Sequence, residues 1–453
     1  MEEASQVGSN VNPVAALFLV AMSVLILCGS RQNAVRAILV TAAFIPLGQQ
    51  LVLGGLHLYF LRILILVGCI RLWRTHEVGG VSLVRIDKLF IGWVLAGFVC
   101  GLLRGPSPET FGGVYDSLGI YLLLRALTQN WEDVIAHLRL LSWVAIVMAV
   151  CMMVESATHR NLFHVLGGVP EIASFRYERF RAQGPFRHAI LAGTFGATLF
   201  PLLACLWFSR GPFSRFSLFG ALSCVAITLV SASSGPLLSF LVAVLGLGLW
   251  LMRTRMRFIR YIILLVVVGF ALFMNAPVWF LIGRVSELTG GTGWYRSYLI
   301  DQAIRHINEW WLVGTSTTAH WAAPENISTS EPSNMDITNH YIVQAINGGI
   351  MMLWLFLAII TNCFKTIGGA VRRIASLPFD EKIIWGFGVA LSAHCASFVS
   401  VSYFDQIKVF WFWLLAVIAL VSTAEGQMVQ SEFPAESRLA PDDNPRDSVL
   451  SLS

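Results

Sequence analysis

Three stretches of this chain carry side chains that could do chemistry together. The first, Arg176 to His188, reads Arg-Tyr-Glu-Arg-Phe-Arg-Ala-Gln-Gly-Pro-Phe-Arg-His and holds four arginines. A guanidinium is planar, permanently charged and matched to phosphate oxygens, so such a cluster suits a phosphate-bearing ligand. Arg179 and Arg181 stand two residues apart, and Gly184-Pro185 imposes a turn before an apolar segment opens near His188. A helix N-terminus at that point would itself favour anions. The second stretch, Gly290-Gly291-Thr292-Gly293-Trp294-Tyr295-Arg296, is a flexible run leading Arg296 into a helical pattern. The third is Asp336-Ile337-Thr338-Asn339-His340-Tyr341, with Gly348-Gly349 following. An imidazole there can take a proton from a hydroxyl near neutral pH. Arg176, Arg179, Arg284 and His188 complete the candidate binding set. The plainer readings are arginines on lipid headgroups and a hydrogen-bonded histidine at an interface, and Arg284 can simply extend along the end of an apolar run.

The elements that must hold these residues are apolar. The chain has 453 residues, of which 56% are hydrophobic and 13% charged, with a mean hydropathy of +0.70. A soluble chain is about 25% charged, so an ordinary soluble domain is excluded and a bilayer is the expected solvent. Apolar segments fall at 12–29, 37–53, 57–73, 89–104, 113–127, 138–155, 188–208, 216–233, 235–252, 259–276, 341–364, 384–404 and 407–423. The expected fold is therefore an all-α polytopic membrane protein with 12–13 transmembrane helices, twelve if segment two or five is re-entrant.

Orientation follows from charge. Arg31 and Arg36, the Arg71–Lys88 group, Arg210 and Arg215, the Arg253–Arg260 group and the Lys365–Lys382 group lie on one side if the helices alternate. The positive-inside rule makes that side cytoplasmic, which puts the N-terminus outside and the arginine-bearing loops 156–187 and 277–340 outside as well. Loops of such length are uncommon unless functional or disordered. The larger one is expected to contain short helices, with Arg296, Ile300, Ile304, Ile307 and Trp311 sharing one face. Residues 1–423 form one integral membrane domain, and 424–453, rich in Ser, Pro, Asp and Glu, reads as a disordered cytoplasmic tail.

Other polar residues are weaker candidates. His159 and His164 lack metal-ligand spacing, His306 and His320 stand isolated in sequence, and His394 reads as a satisfied intramembrane group. Trp294, Trp310, Trp311 and Trp321 suit interface anchoring, with sugar stacking as the alternative. Glu155 or Asp116 could orient an arginine, since a charge in a membrane usually has a partner. All eight cysteines fall in apolar runs, so neither a disulfide framework nor a zinc site is expected; nor is nucleic-acid binding, for want of a basic stripe on a soluble module.

Glu155 to Thr158, Asn161-Leu162-Phe163 and Arg181-Ala182-Gln183-Gly184-Pro185-Phe186 together resemble the bacterial O-antigen ligase and O-antigen polymerase superfamily. So do Gly293-Trp294 through Trp311-Leu312-Val313-Gly314 and Thr338-Asn339-His340 with its Gly-Gly helix, the resemblance covering roughly 36–423. It implies a multi-spanning glycosyltransferase of the bacterial inner membrane with its active site facing the periplasm. The donor would be undecaprenyl-pyrophosphate-linked glycan and the acceptor lipid A-core or a growing polysaccharide, with membrane lipids as surroundings. Neither a nucleotide sugar nor an essential metal is implied. The family's functional residues correspond here to Arg181, Arg296 and His340. Two departures touch the ligase pattern: Tyr341 follows the histidine, and eight residues separate His340 from Gly349. A transporter or flippase of lipid-linked glycans is the alternative, although such proteins usually bind at mid-membrane through broken helices.

Overall fold

The computed structural model describes residues 11–53, 56–77, 82–176, 178–211, 213–284, 293–321, 335–373 and 380–432. Ten helices come first: α1 Pro13–Cys28, α2 Arg31–Phe44, α3 Phe60–Thr75, α4 Arg85–Arg104, α5 Pro108–Leu127, α6 Trp131–Thr158, α7 Ala189–Phe208, α8 Ser214–Val230, α9 Ser234–Gly248 and α10 Met256–Phe273. Then follow α11 Gly293–Arg305, the single turn α12 Ile307–Trp310, and α13 His340–Arg372, α14 Glu381–Phe398 and α15 Ile407–Glu432. Two short hairpins interrupt them, β1 Gln50–Leu53 with β2 Leu56–Tyr59, and β3 Ser174–Arg176 with β4 Arg179–Arg181.

Starts are set by local chemistry. Ser107 caps α5 ahead of Pro108, Asn130 and Asp133 form a reciprocal cap on α6, and Asp380 accepts from the backbone of Lys382 and Ile383. These side chains satisfy amide groups that a helix leaves unpaired in its first turn.

Six stretches are long and apolar enough to cross a membrane: α4, α6, α7, the run Ser234–Phe273, α13 and Ile407–Ala424. α1 and most of α8 are apolar but shorter. The architecture is that of an all-α, multi-pass membrane protein. α7 is its centre, with 89% of its spanning window buried, whereas Ser234–Phe273 has 6% buried and lies at the periphery. Small residues make the centre tight. A β-carbon at Gly193 would overlap Ser231 Oγ, and one at Gly196 would sit 2.7 Å from the Cys224 carbonyl. Close approach of this kind packs helices where hydrophobicity supplies no driving force.

Three sequence boundaries are corrected. The second apolar segment, 37–53, leaves the helix at Phe44, and Gln50–Leu53 instead pairs with Leu56–Tyr59. The segment 384–404 stops being helical at Phe398, because 399–406 is a buried, irregular connection with Asp405 at φ 55°. Hydropathy cannot separate the two states, since Val399, Val401, Tyr403 and Phe404 are as apolar as a span. α15 runs to Glu432, past the expected start of the tail; 433–453 lies outside the described residues.

Candidate active site

Arg181 owes its position to a hairpin and a pinned turn. In the β3–β4 pair Arg176 faces Arg179 and Ser174 faces Arg181. Because side chains alternate along a strand, Arg176, Arg179 and Arg181 share one face, and Phe175 and Phe180 pair on the other at 4.8 Å. Arg176 and Arg179 are exposed, whereas Arg181 is 7% exposed. The turn beyond it is fixed from three sides. The Glu155 carboxylate accepts the Gln183 and Gly184 amides at 3.0 and 2.8 Å, Asn161 Nδ2 donates to the Gly184 carbonyl at 2.7 Å, and Gln406 Nε2 donates to the Pro185 carbonyl at 2.9 Å. Glu155 thus orients the arginine through backbone, and Asp116 instead pairs with Arg62 at 2.8 Å.

Glu155 is 1% exposed, so Glu155→Gln should lower thermal stability in detergent by about 1–3 kcal/mol, because an amide NH2 would face a backbone N–H. Arg181 should lose its register with it. An unchanged melting temperature would show that the turn holds itself.

Two buried guanidiniums reach the connection between α8 and α9 at neighbouring residues. Arg181 Nη2 donates to Ser233 Oγ at 2.6 Å. Two residues on, a β-carbon built on Gly235 would lie 3.4 Å from Arg296 Nη2 and 2.5 Å from Ser400 Oγ. Arg296 is itself 7% exposed, near the start of α11. Burial and the nearby Arg176 charge lower the pKa of both Arg181 and Arg296, which marks a strongly positive locale. His188, the exposed N-cap of α7, lies within electrostatic reach of Arg181 and Arg176. Among the described residues no carboxylate forms an ion pair with Arg181 or Arg296. Several arginines elsewhere are neutralised: Arg31 by Asp133 at 2.8 Å, Arg71 by Glu77 at 2.7 Å, Arg253 by Glu381 at 2.7 Å and Arg305 by Asp301 at 2.7 Å. Arg284 is exposed at the edge of the described residues.

His340 sits beside this locale, in a cage of Phe356, Phe398 and Tyr403 with ring centroids 5.0–5.4 Å away. It opens α13, whose N-cap Asn339 accepts from the Tyr341 and Ile342 amides. The Tyr403 N–H faces Nδ1 at 3.1 Å and the Gln344 amide nitrogen lies 3.1 Å from Nε2, so both ring nitrogens face donors and a neutral ring accepts from one of them at a time. Gln344 is held in turn by Trp93 Nε1, which donates to its Oε1 at 3.0 Å. The 399–406 connection therefore binds His340 and reaches the backbone near both arginines: Tyr403 binds His340, Ser400 faces Gly235 beside Arg296, and Gln406 binds the turn after Arg181. Tyr403 also meets His394 Nδ1 through its hydroxyl at 2.6 Å.

A second clasp locks the large loop onto α13. The helix breaks at Gly348 and Gly349, the latter at φ 66°. Arg104, at the end of α4, donates to the carbonyls of Thr315 (3.0 Å), Ile346 (2.9 Å) and Asn347 (2.8 Å). A cation at the carbonyl end of a half-helix is favoured by the dipole as well as by the hydrogen bonds. Arg104→Ala should reduce protection of the Ile346–Ile350 amides in hydrogen exchange and lower activity several-fold; unchanged protection would make Arg104 a bystander.

Sequence reasoning missed Arg104, Ser233, Tyr403 and Gln344, since each stands in an apolar run without a motif. It also set the wrong face on α11. Arg296, Leu299 and Ala303 are buried there with Trp310, whereas Ile304, Ile307 and Trp311 are exposed. The helix ends at Arg305 and turns at His306, so the stripe cannot continue to Trp311. Nor are His306 and His320 isolated, because both contact Glu309.

Compared with known proteins, the chain matches no family model and no curated protein. A concavity of about 420 Å³ between α6 and α8, lined by Trp143, Met153, Phe216 and Phe219 among others, is apolar and lies apart from the arginines.

Proposed function

We propose that this protein is a glycosyltransferase that moves a glycan from undecaprenyl pyrophosphate to an acceptor hydroxyl, during O-antigen or exopolysaccharide assembly. In this reading the chain spans a bacterial inner membrane twelve or thirteen times and works on the periplasmic face, as ligase or as polymerase. The observation that carries it is the pair of buried guanidiniums, Arg181 and Arg296, gathered at Ser233–Gly235 without a carboxylate partner among the described residues. Buried charge is costly unless paired, so a site that keeps two such groups is suited to an anion supplied from outside.

The chemistry is a displacement at an anomeric carbon. The acceptor oxygen forms a bond to that carbon as the bond to the pyrophosphate oxygen breaks, and undecaprenyl pyrophosphate leaves with the electron pair. Arg181 and Arg296 stabilise the charge that grows on the leaving group, an electrostatic role that needs no reorganisation at the moment of reaction. His340 accepts the hydroxyl proton, which requires the donor facing its unprotonated ring nitrogen to release it. Arg176 and Arg179, exposed on the same hairpin face, draw the donor headgroup inward.

The test is purified protein in nanodiscs with a polyprenyl-pyrophosphate glycan and a panel of acceptors. Glycan transferred to one acceptor, with release of the polyprenyl pyrophosphate, is the expected result. Movement of intact lipid-linked glycan between leaflets without any transfer would replace this reading with a flippase.

A further inference from the structure

At the far end of α11 from Gly293, the chain assembles a group that its sequence does not announce. His306 ends the turn after α11, Glu309 lies in α12, and His320 comes eleven residues after Glu309. His306 Nδ1 lies 2.7 Å from Glu309 Oε1, and His320 Nε2 lies 2.8 Å from Glu309 Oε2. All three donor atoms fall within 4.8 Å of one another.

We infer that His306, Glu309 and His320 form a binding site for a divalent transition-metal ion, with Zn2+ the best fit. Two imidazole nitrogens and one carboxylate oxygen are a ligand set that zinc takes, with a fourth position left for water. Tetrahedral ligands at zinc distances stand about 3.3 Å apart. The two short contacts must therefore open by about half an ångström, within the reach of side-chain torsions. Binding also needs both His306 Nδ1 and His320 Nε2 free of their protons, each of which moves to the other ring nitrogen or to solvent.

The surroundings hold the ligands in place. Trp321 is 1% exposed, and its Nε1 donates to Glu309 Oε2 at 3.1 Å, while its ring stacks on His306 at 5.3 Å and 16°. Tyr298 Oη donates to the Trp321 carbonyl at 2.8 Å, which ties the group back to α11. Orientation of a ligand carboxylate by a second hydrogen bond is what a metal site requires beyond its ligands. The ion would clasp both ends of the 306–321 segment, which follows directly on the helix whose first turn carries Arg296.

Untagged protein, stripped of metal, should be titrated with Zn2+ in detergent at pH 7.5, and with Co2+ as a visible probe. One equivalent of zinc should bind, with Co2+ giving the intense d–d bands of a four- or five-coordinate site. His306→Asn, His320→Gln and Glu309→Gln should each weaken zinc binding at least tenfold. Hydrogen exchange across 306–321 should slow when zinc is added to the wild type, a readout independent of transfer activity. Zinc uptake no greater than a detergent control, or equal uptake by all three variants, would overturn the proposal. The wild-type stoichiometry decides it even if a variant fails to fold.

Discussion

Arg181→Ala and Arg296→Ala should each cut glycan transfer by about 100- to 1,000-fold without loss of the folded protein. The size follows from removing one fixed donor from a low-dielectric site where charge develops on the leaving pyrophosphate. The preservation of fold follows from how these side chains are paired. Among the described residues Arg181 makes one side-chain hydrogen bond, to Ser233, and its Nε has no partner. Removing a buried charge that lacks a counter-ion is neutral or stabilising. The melting temperature should therefore hold or rise as activity collapses, the opposite of what Arg71→Ala should do, since that change strands Glu77. The Arg181→Ala/Arg296→Ala double variant should lose little more than either single one, because groups that grip one phosphate act as a unit. A pair of single losses that multiply would mean two separate anion sites.

The second large effect belongs to glycine. Gly314→Ala and Gly349→Ala should each destabilise the protein by on the order of 3 kcal/mol and abolish activity. Gly349 has φ 66° and Gly314 φ 82°, both in the left-handed region where a β-carbon is strained. Space is a harder limit than angle here. A β-carbon at Gly349 would overlap the Leu312 carbonyl oxygen, and one at Gly314 the Ile346 carbonyl oxygen. The backbones are in direct contact, with Thr315 N donating to Ile346 at 2.9 Å and Ile350 N to Trp311 at 2.9 Å. The break in α13 also frees the carbonyls that Arg104 binds, so the loop's seat and the half-helix beginning at His340 would fail together. Gly105→Ala is the control: it too has positive φ, but nothing lies within 4 Å of the added carbon. Thermal melts and transfer assays on the three variants would separate strain from overlap.

Much of this fold could be read from hydropathy, because the apolar segments coincide with helices wherever charges or glycine-proline pairs bound them. It failed where an apolar run is not helical. Gln50–Leu53 and Leu56–Tyr59 are paired strands, and Val399–Gln406 is a buried connection, and nothing in residue polarity distinguishes them from span. That second error hid the element that links the site, since Tyr403 binds His340, Gln406 binds the Pro185 carbonyl and Ser400 packs against Gly235. The arginines were legible because charge is rare in such a chain and Gly184-Pro185 marks a turn. Their convergence was not, as it depends on Ser233 and Gly235, two small residues between apolar helices. Glu155 was visible as a charge needing a partner, yet its partners proved to be backbone amides, which no side-chain pairing rule can forecast. His306 and His320 looked solitary because Glu309 joins them only after the chain turns at the end of α11.

The most direct measurement is equilibrium binding of undecaprenyl pyrophosphate to the purified protein, compared with undecaprenyl monophosphate, for the wild type, Arg181→Ala and Arg296→Ala. If two guanidiniums form an anion seat, the wild type should prefer the diphosphate, and each variant should bind it at least about tenfold more weakly, a loss of about 1.4 kcal/mol. Equal affinity for both lipids in all three proteins would contradict the account.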